Sequence, residues 1–426
     1  MNEIKDLQAF LDCSHSVYHA VAEMERTLVQ AGYHKVKETG SFTLIPGGKY
    51  YLTRGGSALV AFRIPAESPE GFLISACHGD RPCFRVKENG VLADKYTRLA
   101  VERYGGLLIA PWLDRPLSVA GRVTVETERG IESKLIDIDR DLLLIPNVAI
   151  HMNRKANEGY AWNLATDTIP LLGDKESADQ FWKTVEDVAG GKLLGHDLYL
   201  YVRQKSTVWG MQNEFISAPA LDDLECAWGC MQGFLQGKDT RHIPVLCVFD
   251  SEEVGSSTYQ GAASDLLQST LRRICKAMDL EESVQLAQSF MVSADNGHAL
   301  HPNHPELADS ANAPIMNQGV VVKFNANRKY TTDGVSAAIF KKICKQANVP
   351  VQTYCNRADL PGGSTLGCIS LSQVAVPSVD IGLAQLAMHS CYETAGVKDA
   401  IYLADAMAAY YSTCLTFQDD GSYDIN

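Results

Sequence analysis

The sequence lacks the features that mark secreted, membrane and nucleic-acid-binding proteins. No apolar run approaches membrane-spanning length, and the first residues have neither the basic start nor the apolar core of a signal peptide. An excess of positive charge is also missing, since the formal net charge is −13. We therefore expect a cytoplasmic protein without nucleic-acid or membrane partners, and an acidic substrate would require a local basic residue.

Paired cysteine motifs, internal repeats and low-complexity tracts are missing as well. The 12 cysteines are scattered singly, with no Cys-x-x-Cys, which indicates a reduced protein whose cysteines are mostly structural. The hydrophobic fraction of 46% and the charged fraction of 21% are ordinary for a globular protein. A chain of 426 residues exceeds the size at which one core keeps growing, so a large domain with a second domain is expected.

The chain is organised around the acidic stretch 250–256, which directly follows the apolar run 243–248. That run is short and bounded by polar residues, so it is predicted to be a strand buried on both faces. Two further runs of this kind, 71–77 and 290–294, end at His78 and Asp295. Buried strands that alternate with helical patterns predict an α/β fold with a mixed, mostly parallel sheet flanked by helices.

A different pattern occupies the middle of the chain. Between residues 117 and 125 apolar and polar positions alternate, which is typical of a half-buried antiparallel sheet. We predict that residues 91–216 form an inserted β-rich domain. Residues 1–90 and 217–426 then form one discontinuous catalytic domain, in which the pair Asp222 and Asp223 is expected to cap a helix.

Five candidate metal ligands stand at or after predicted strand ends or at a helix start: His78, Asp222, Glu253, Asp295 and His389. Each alone has an ordinary explanation, such as a core histidine or a helix cap, but a chance set would not repeatedly choose strand ends. The carboxyl ends of parallel strands meet at one edge of a sheet, where ligands bind. Imidazole with carboxylate suits zinc, with cobalt or manganese as alternatives. Five ligands exceed the need of one catalytic zinc and predict two metal ions.

The residues around this set suggest a division of roles. Asp222 is the best bridging ligand, because the other four ligands divide into two pairs of one histidine and one carboxylate. Asp80, two positions after His78, is predicted to accept the second hydrogen bond of that imidazole. Glu252 is left as the general base that takes a proton from water and passes it to the leaving amine.

Five motifs resemble, in order, the motif series of the aspartyl aminopeptidase family of co-catalytic zinc exopeptidases; they are residues 78–82, 221–224, 250–256, 293–303 and 387–390. The resemblance implies a zinc-exopeptidase fold, two zinc ions per subunit, Glu252 as the catalytic base and Asp80 as the partner of His78. The ligand division that it implies is His78 with Asp295 on one zinc, Glu253 with His389 on the other, and Asp222 between them.

The resemblance also implies an assembly. In that family an inserted domain forms dimers, and the dimers build a tetrahedral dodecamer. Residues 145–154 resemble the part of the domain that reaches into a neighbouring subunit's active site, and His151 would be the residue that enters it. A histidine on an ordinary β-surface is the alternative.

Substrate-binding residues are implied in the same way. Lys323 and Tyr330 lie in a stretch that resembles the lining of the family's specificity pocket, and Lys323 is the natural partner for an acidic substrate side chain. His298 resembles a pocket residue, although an ordinary polar loop is an equal alternative. Residues 361–365 resemble a glycine loop in which the backbone of Gly363 faces substrate, and a plain tight turn is the equal alternative.

Three positions depart from the family pattern: Gly79, Arg81 and Asp223. None removes a ligand, but Arg81 and Asp223 bring charge close to the metals. We predict a zinc metallo-aminopeptidase that releases N-terminal Asp or Glu from peptides. The alternatives are a neutral, Leu-type aminopeptidase of the same family and a non-catalytic, self-assembling metal-binding scaffold, against which the presence of Glu252 argues.

Overall fold

The computed structural model describes residues 2–360 and 362–426. The helices in these residues are α1 Asn2–Cys13, α2 Val17–Gln30, α3 Gln180–Ala189, α4 Leu221–Gln236, α5 Leu266–Ala277, α6 Glu282–Ala287, α7 Gly334–Gln346, α8 Leu366–Leu371 and α9 Val397–Tyr411. None of these helices is long and apolar enough to cross a membrane.

The strands of the described residues fall into three larger sheets and one C-terminal hairpin. They are β1 His34–Lys35, β2 Lys49–Arg54, β3 Ala58–Arg63, β4 Phe72–His78, β5 Cys83–Ala93, β6 Tyr96–Tyr104, β7 Leu117–Thr127, β8 Gly130–Asp137, β9 Leu171–Asp174, β10 Leu193–Val202, β11 Thr207–Trp209, β12 Phe215–Ala218, β13 Ile243–Phe249, β14 Phe290–Ala294, β15 Gly297–His298, β16 Val320–Phe324, β17 Val351–Cys355, β18 Ser378–Gly382, β19 Ala384–Leu386, β20 Glu393–Gly396, β21 Leu415–Asp419 and β22 Ser422–Ile425.

The main sheet has the strand order β1-β2-β3-β13-β4-β14-β18-β16-β17. Its centre, β13-β4-β14-β18, is parallel, whereas β3 and β16 join it through antiparallel pairs. Helices α1, α2, α4, α7 and α9 cover one face, and α5 and α8 cover the other. Side chains of β4 alternate between the two cores, with Leu73 on one face and Ile74 on the other, so the strand is buried throughout.

A separate antiparallel sheet has the order β8-β7-β10-β5-β6-β9 and packs on α3 through Phe181 and Val185. The predicted fold class, a mostly parallel α/β sheet with a separate β-rich unit, is confirmed. The division into 1–90, 217–426 and 91–216 stays a prediction. Strand β5, Cys83–Ala93, runs across its first boundary.

The third sheet, β11-β12-β20-β19-β15, lies beside the start of α4. The expected helix-capping role of Asp222 and Asp223 is wrong. Position Ala220 precedes the helix without a side-chain cap, and both aspartates have non-helical backbone angles. The N–H of Asp222 donates to Glu393 Oε2 at 3.0 Å, and the carboxylates of both aspartates lie in the cluster described below.

Candidate metal centre

The predicted ligands converge at the carboxyl edge of the main sheet. His78 ends β4, Glu253 follows the adjacent strand β13, and Asp295 follows β14 on the other side of β4. Asp222 comes from the start of α4, and His389 from the connection between β19 and β20. Parallel strand ends bring residues far apart in sequence to one place, as the sequence pattern predicts.

Asp222 lies between the two histidines. Its Oδ1 is 3.7 Å from His78 Nε2, and its Oδ2 is 3.6 Å from His389 Nε2. Glu253 Oε1 lies 3.3 Å from the same nitrogen of His389. Ligand atoms of His78, Asp222 and Asp295 lie within 4.8 Å of one another. The five side chains thus form two overlapping groups that share Asp222.

The chemistry of these residues fits a metal centre. His78 and Asp222 are buried, yet Asp222 Oδ1 has no hydrogen-bond donor among the described residues. Burial and repulsion from Asp295 and Glu253 raise the pKa of Asp222 to about 7. A cation between the carboxylates would remove that repulsion, and a set of imidazole and carboxylate donors suits zinc.

Asp80, the predicted hydrogen-bond partner of His78, and Glu252, the predicted base, lie beside the predicted ligands. Asp80 is 2% exposed, its main-chain carbonyl accepts the hydrogen bond of His78 Nδ1 at 3.2 Å, and its carboxylate Oδ1 lies 3.4 Å from the same nitrogen. The same carboxylate accepts hydrogen bonds from the backbone N–H groups of Glu252 and Glu253 at 3.1 and 3.2 Å. Glu252 is half-buried, its carboxylate lies in a group with His78 and Glu253, and burial raises its pKa to about 8.

Glu393 is a supporting residue that sequence reasoning missed. It is 1% exposed, and its two carboxylate oxygens accept the backbone N–H groups of Asp222 at 3.0 Å and His389 at 2.7 Å. One side chain therefore fixes the backbone of two predicted ligands. The available signal was its position four residues after His389, but no pattern connects it with residue 222.

The three residues that depart from the family pattern lie at different positions relative to the predicted ligands. Arg81 turns away from the ligands, because its guanidinium donates to the carbonyl of Ser14 at 2.7 Å and to that of His15. Asp223 lies within the cluster, and its Oδ2 accepts the N–H of His78 at 3.2 Å. Gly79 lies against β13 and donates its N–H to the carbonyl of Phe249.

Lys323 is a buried cation at the edge of the cluster. Its side chain is 2% exposed, its Nζ donates to the carbonyl of Asn296 at 2.9 Å, and it lies 3.7 Å from Asp295 Oδ1. The same ammonium lies 5.4 Å from the ring centroid of the buried Tyr330. His298 is exposed and lines a cavity of about 280 Å³ on the same side.

His151 and Gly363 are not among the residues whose ligand atoms converge. His151 is exposed in a turn within the segment between the isolated bridge at Ile145 and β9. Gly363 is exposed, with open space where a Cβ would stand. Pro361, the first residue of the predicted glycine loop, lies outside the described residues.

Imidazole and carboxylate donors, buried at His78, Asp222 and Asp295 and half-buried at Glu253 and His389, gather at the carboxyl edge of this sheet, a donor set typical of a metal-dependent hydrolase. Residues 10–411 match the family model described as aminopeptidase I zinc metalloprotease (M18). A probable M18 family aminopeptidase 2 of Clostridium novyi is 40% identical over 430 residues, covering 96% of this chain and 99% of the relative.

Solved structures agree with the family model. Ape4, in its complex with Nbr1, has a TM-score of 0.93 at 32% identity, covering 96% of this chain and 85% of Ape4. The S. cerevisiae mApe1 dodecamer has a TM-score of 0.85 at 26% identity, covering 96% of each chain. The chain therefore belongs to the M18 family of zinc metallo-aminopeptidases. The predicted family and the predicted aminopeptidase class are confirmed.

Proposed function

We propose that this aminopeptidase releases N-terminal Asp or Glu from peptides, with two zinc ions per subunit, for which cobalt or manganese can substitute. The observation that carries the acidic preference is Lys323, a buried cation next to Asp295. An ammonium has three hydrogen-bond donors, so Lys323 can hold a substrate carboxylate while it keeps its bond with Asn296. In a chain with a net charge of −13, such a local cation is what an acidic substrate needs.

In this proposal two zinc ions would share five residues. His78 and Asp295 would hold one ion, Glu253 and His389 would hold the other, and Asp222, whose two oxygens face the two histidines, would be common to both. When bound, zinc supplies a Lewis acid that polarises the scissile carbonyl and lowers the pKa of water.

Glu252 moves the protons of the reaction. Its carboxylate accepts a proton from the attacking water and delivers it to the departing amine. Asp80 has the supporting role, because it accepts the backbone N–H of Glu252 and faces the Nδ1 of His78. The hydrogen bond from His78 Nδ1 to the main-chain carbonyl of Asp80, with the carboxylate close by, favours the tautomer whose Nε2 is free to bind metal.

The remaining predicted residues surround the substrate. Tyr330 covers the Lys323 ammonium, and His298 lines the adjoining cavity, so both belong to the proposed pocket. Gly363 stays a proposed backbone contact. His151 would enter the site of a neighbouring subunit, and the exposed apolar side chains Val148, Ile150 and Met152 of the same segment favour contact with a second copy.

For the whole protein we propose dimers that assemble into a dodecamer, in accord with the dodecameric relative mApe1. We infer a cytoplasmic location, because 12 unpaired cysteines are typical of a reducing compartment. The negative net charge disfavours nucleic acids and anionic membranes as partners.

The proposal is tested by initial rates on α-aspartyl, α-glutamyl and leucyl peptides with zinc-loaded protein. Glu252→Gln should keep its zinc and lower kcat by roughly 10²- to 10⁴-fold, because the proton acceptor is lost. Lys323→Met should lower kcat/KM for acidic peptides by about 10-fold or more, since a charge-assisted hydrogen bond is removed, and should spare leucyl peptides.

Zinc content measured on each variant is the control, because Lys323 also neutralises Asp295. A preference of the wild-type enzyme for leucyl peptides would contradict the proposed acidic specificity but not the proposed mechanism. Near-normal turnover by Glu252→Gln would remove the assigned base. Wild-type protein with full zinc and no turnover on any peptide would support the scaffold alternative.

A further inference from the structure

One short segment from outside the main sheet forms hydrogen bonds with His389 and with Asp80, the neighbour of His78. It comprises residues 104–108, which leave β6 of the antiparallel sheet, and is called the 104–108 segment below. We propose that Tyr104 in this segment is a positioning residue of the metal centre, whose hydroxyl holds Asp80 against His78 and the Glu252–Glu253 backbone. The inference rests on the proposed two-zinc site.

Tyr104 donates its hydroxyl hydrogen bond to Asp80 Oδ2 at 2.7 Å. Asp80 also accepts the N–H groups of Glu252 and Glu253 and lies 3.4 Å from His78 Nδ1. The carboxylate is thus shared by the backbone of the base and by one ligand. Because Asp80 is almost fully buried, the strong phenol-to-carboxylate bond fixes the rotation of its side chain. A rotated carboxylate would release the N–H groups of Glu252 and Glu253 and move its charge away from His78 Nδ1, whose own hydrogen bond goes to the main-chain carbonyl of Asp80 at 3.2 Å.

The same segment fixes the second histidine directly. The carbonyl of Gly106 accepts a hydrogen bond from His389 Nδ1 at 2.6 Å, and the N–H of Leu108 donates to the His389 carbonyl at 2.9 Å. A donating Nδ1 leaves the lone pair on Nε2, the atom that faces Asp222 and Glu253. The segment therefore selects the metal-binding tautomer of His389.

Close approach is possible because the residue between these contacts is glycine. Gly105 has φ +70°, and a Cβ there would lie 3.1 Å from Glu253 Cβ. Tyr199 of β10 packs edge-on to the Tyr104 ring, with centroids 5.9 Å apart at 81°. Packing within the antiparallel sheet therefore holds the Tyr104 ring in place, and the hydroxyl of that ring binds Asp80 beside the metal centre.

A purely structural role is the alternative for this bond, and the chain contains a matched control, a tyrosine–aspartate bond within the antiparallel sheet. Tyr201 Oη donates to Asp137 Oδ1 at 2.7 Å, with the same chemistry and length as the Tyr104–Asp80 bond, in the same antiparallel sheet. Asp137 contacts His15 rather than a predicted ligand. Each Tyr→Phe change removes one hydroxyl and keeps the ring.

The experiment compares Tyr104→Phe and Tyr201→Phe with wild type. Zinc release to a chromogenic chelator is followed without substrate, and kcat and KM are measured on the best peptide substrate. For Tyr104→Phe we expect zinc release about 10-fold faster and kcat about 10-fold lower with KM little changed, since outer-sphere partners of metal ligands have effects of this order. Tyr201→Phe should match wild type in all three.

Thermal unfolding of each variant, with and without zinc, separates positioning from general destabilisation. If Tyr104 positions the metal centre, zinc should raise the Tm of Tyr104→Phe by less than it raises the Tm of wild type. If the bond is only structural, the Tm values of the zinc-loaded and the zinc-free variant should fall by the same amount. Wild-type zinc release and kcat in Tyr104→Phe would overturn the inference. Failure of the proposed function has a different signature, because wild-type protein would then lack two bound zinc ions or peptide turnover.

Discussion

At the scale of single residues, Asp223 is the departure with the clearest physical consequence. It is fully buried among His78, Asp222 and Asp295. Its Oδ2 accepts the N–H of His78 at 3.2 Å, but its Oδ1 has no hydrogen-bond donor among the described residues. A buried carboxylate oxygen without a donor is unfavourable in the metal-free protein and favourable to a bound cation.

Asp223→Asn should therefore separate metal affinity from stability. Asparagine keeps an acceptor for the His78 N–H and removes the charge, so zinc affinity should fall by about 10-fold. The metal-free protein should become more stable by about 1 kcal/mol, because an unpaired buried group is relieved. Competition titration with a zinc chelator and thermal unfolding in EDTA measure the two effects, and unchanged zinc affinity would show that Asp223 acts only through its bond with His78.

At the scale of elements, α4 and α9 pack closely through glycines on α4. Gly229, Gly233 and Gly237 recur every four residues and face α9. A Cβ at position 233 would overlap Met407 Cβ and lie 2.7 Å from the backbone nitrogen of Ala408. Because the predicted ligand Asp222 lies in the first turn of α4, this contact fixes the helix that follows a ligand.

Gly233→Ala should lower the free energy of unfolding of the zinc-loaded protein by about 1–3 kcal/mol, because a backbone atom cannot move aside as a side chain can. Gly229→Ala is the matched control. Its Cβ would first meet Leu403 Cδ2 at 2.7 Å, the end of a flexible side chain, so its effect should be smaller. Urea unfolding measures both, and equal effects would contradict the backbone argument.

The elements that could be predicted from sequence are those with a simple pattern. Buried strands β4, β13 and β14 follow from short apolar runs, and the polar residues at their ends are the predicted ligands. Helix α1 is harder to predict, because Ile4, Leu7 and Leu11 have helical spacing but stand among polar residues such as Lys5 and Asp6. A two-residue strand such as β1 carries no periodicity.

Supporting residues of the site could not be predicted in this way. Glu393 reaches Asp222 through a fold contact between residues 171 positions apart in the chain. Tyr104 reaches Asp80 only because β6 ends beside the main sheet. Such contacts depend on how two sheets pack, and periodicity within one element holds no information on that. The residues that support the predicted ligands can therefore be identified only from the structure.

At the scale of the whole molecule, the proposed assembly makes each active site depend on two chains. His151 is exposed within its own chain and is not among the residues that converge at the metal centre. If His151 completes a neighbour's site, each active site combines Glu252 of one subunit with His151 of another. Two different inactive variants can then form one intact site between them.

His151→Ala and Glu252→Gln should each be nearly inactive alone and should recover activity when co-expressed. If the two variants pair at random in dimers, on the order of one quarter of the active sites contain both Glu252 and His151. Peptide hydrolysis by the purified mixed oligomer measures the recovery, with sedimentation to establish its size. A mixture no more active than its components, in a dodecamer of normal size, would exclude His151 from the neighbouring site.

The predicted metal ligands are spread along the chain, from His78 at the end of β4 to His389 between β19 and β20. A ribosome-bound chain that has not yet reached residue 389 lacks one ligand, and contacts of such long range form late in folding. Without His389, the group formed by Asp222, Glu253 and His389 is absent, so a chain that stops before residue 389 should be unable to hold the second zinc ion of the proposed centre.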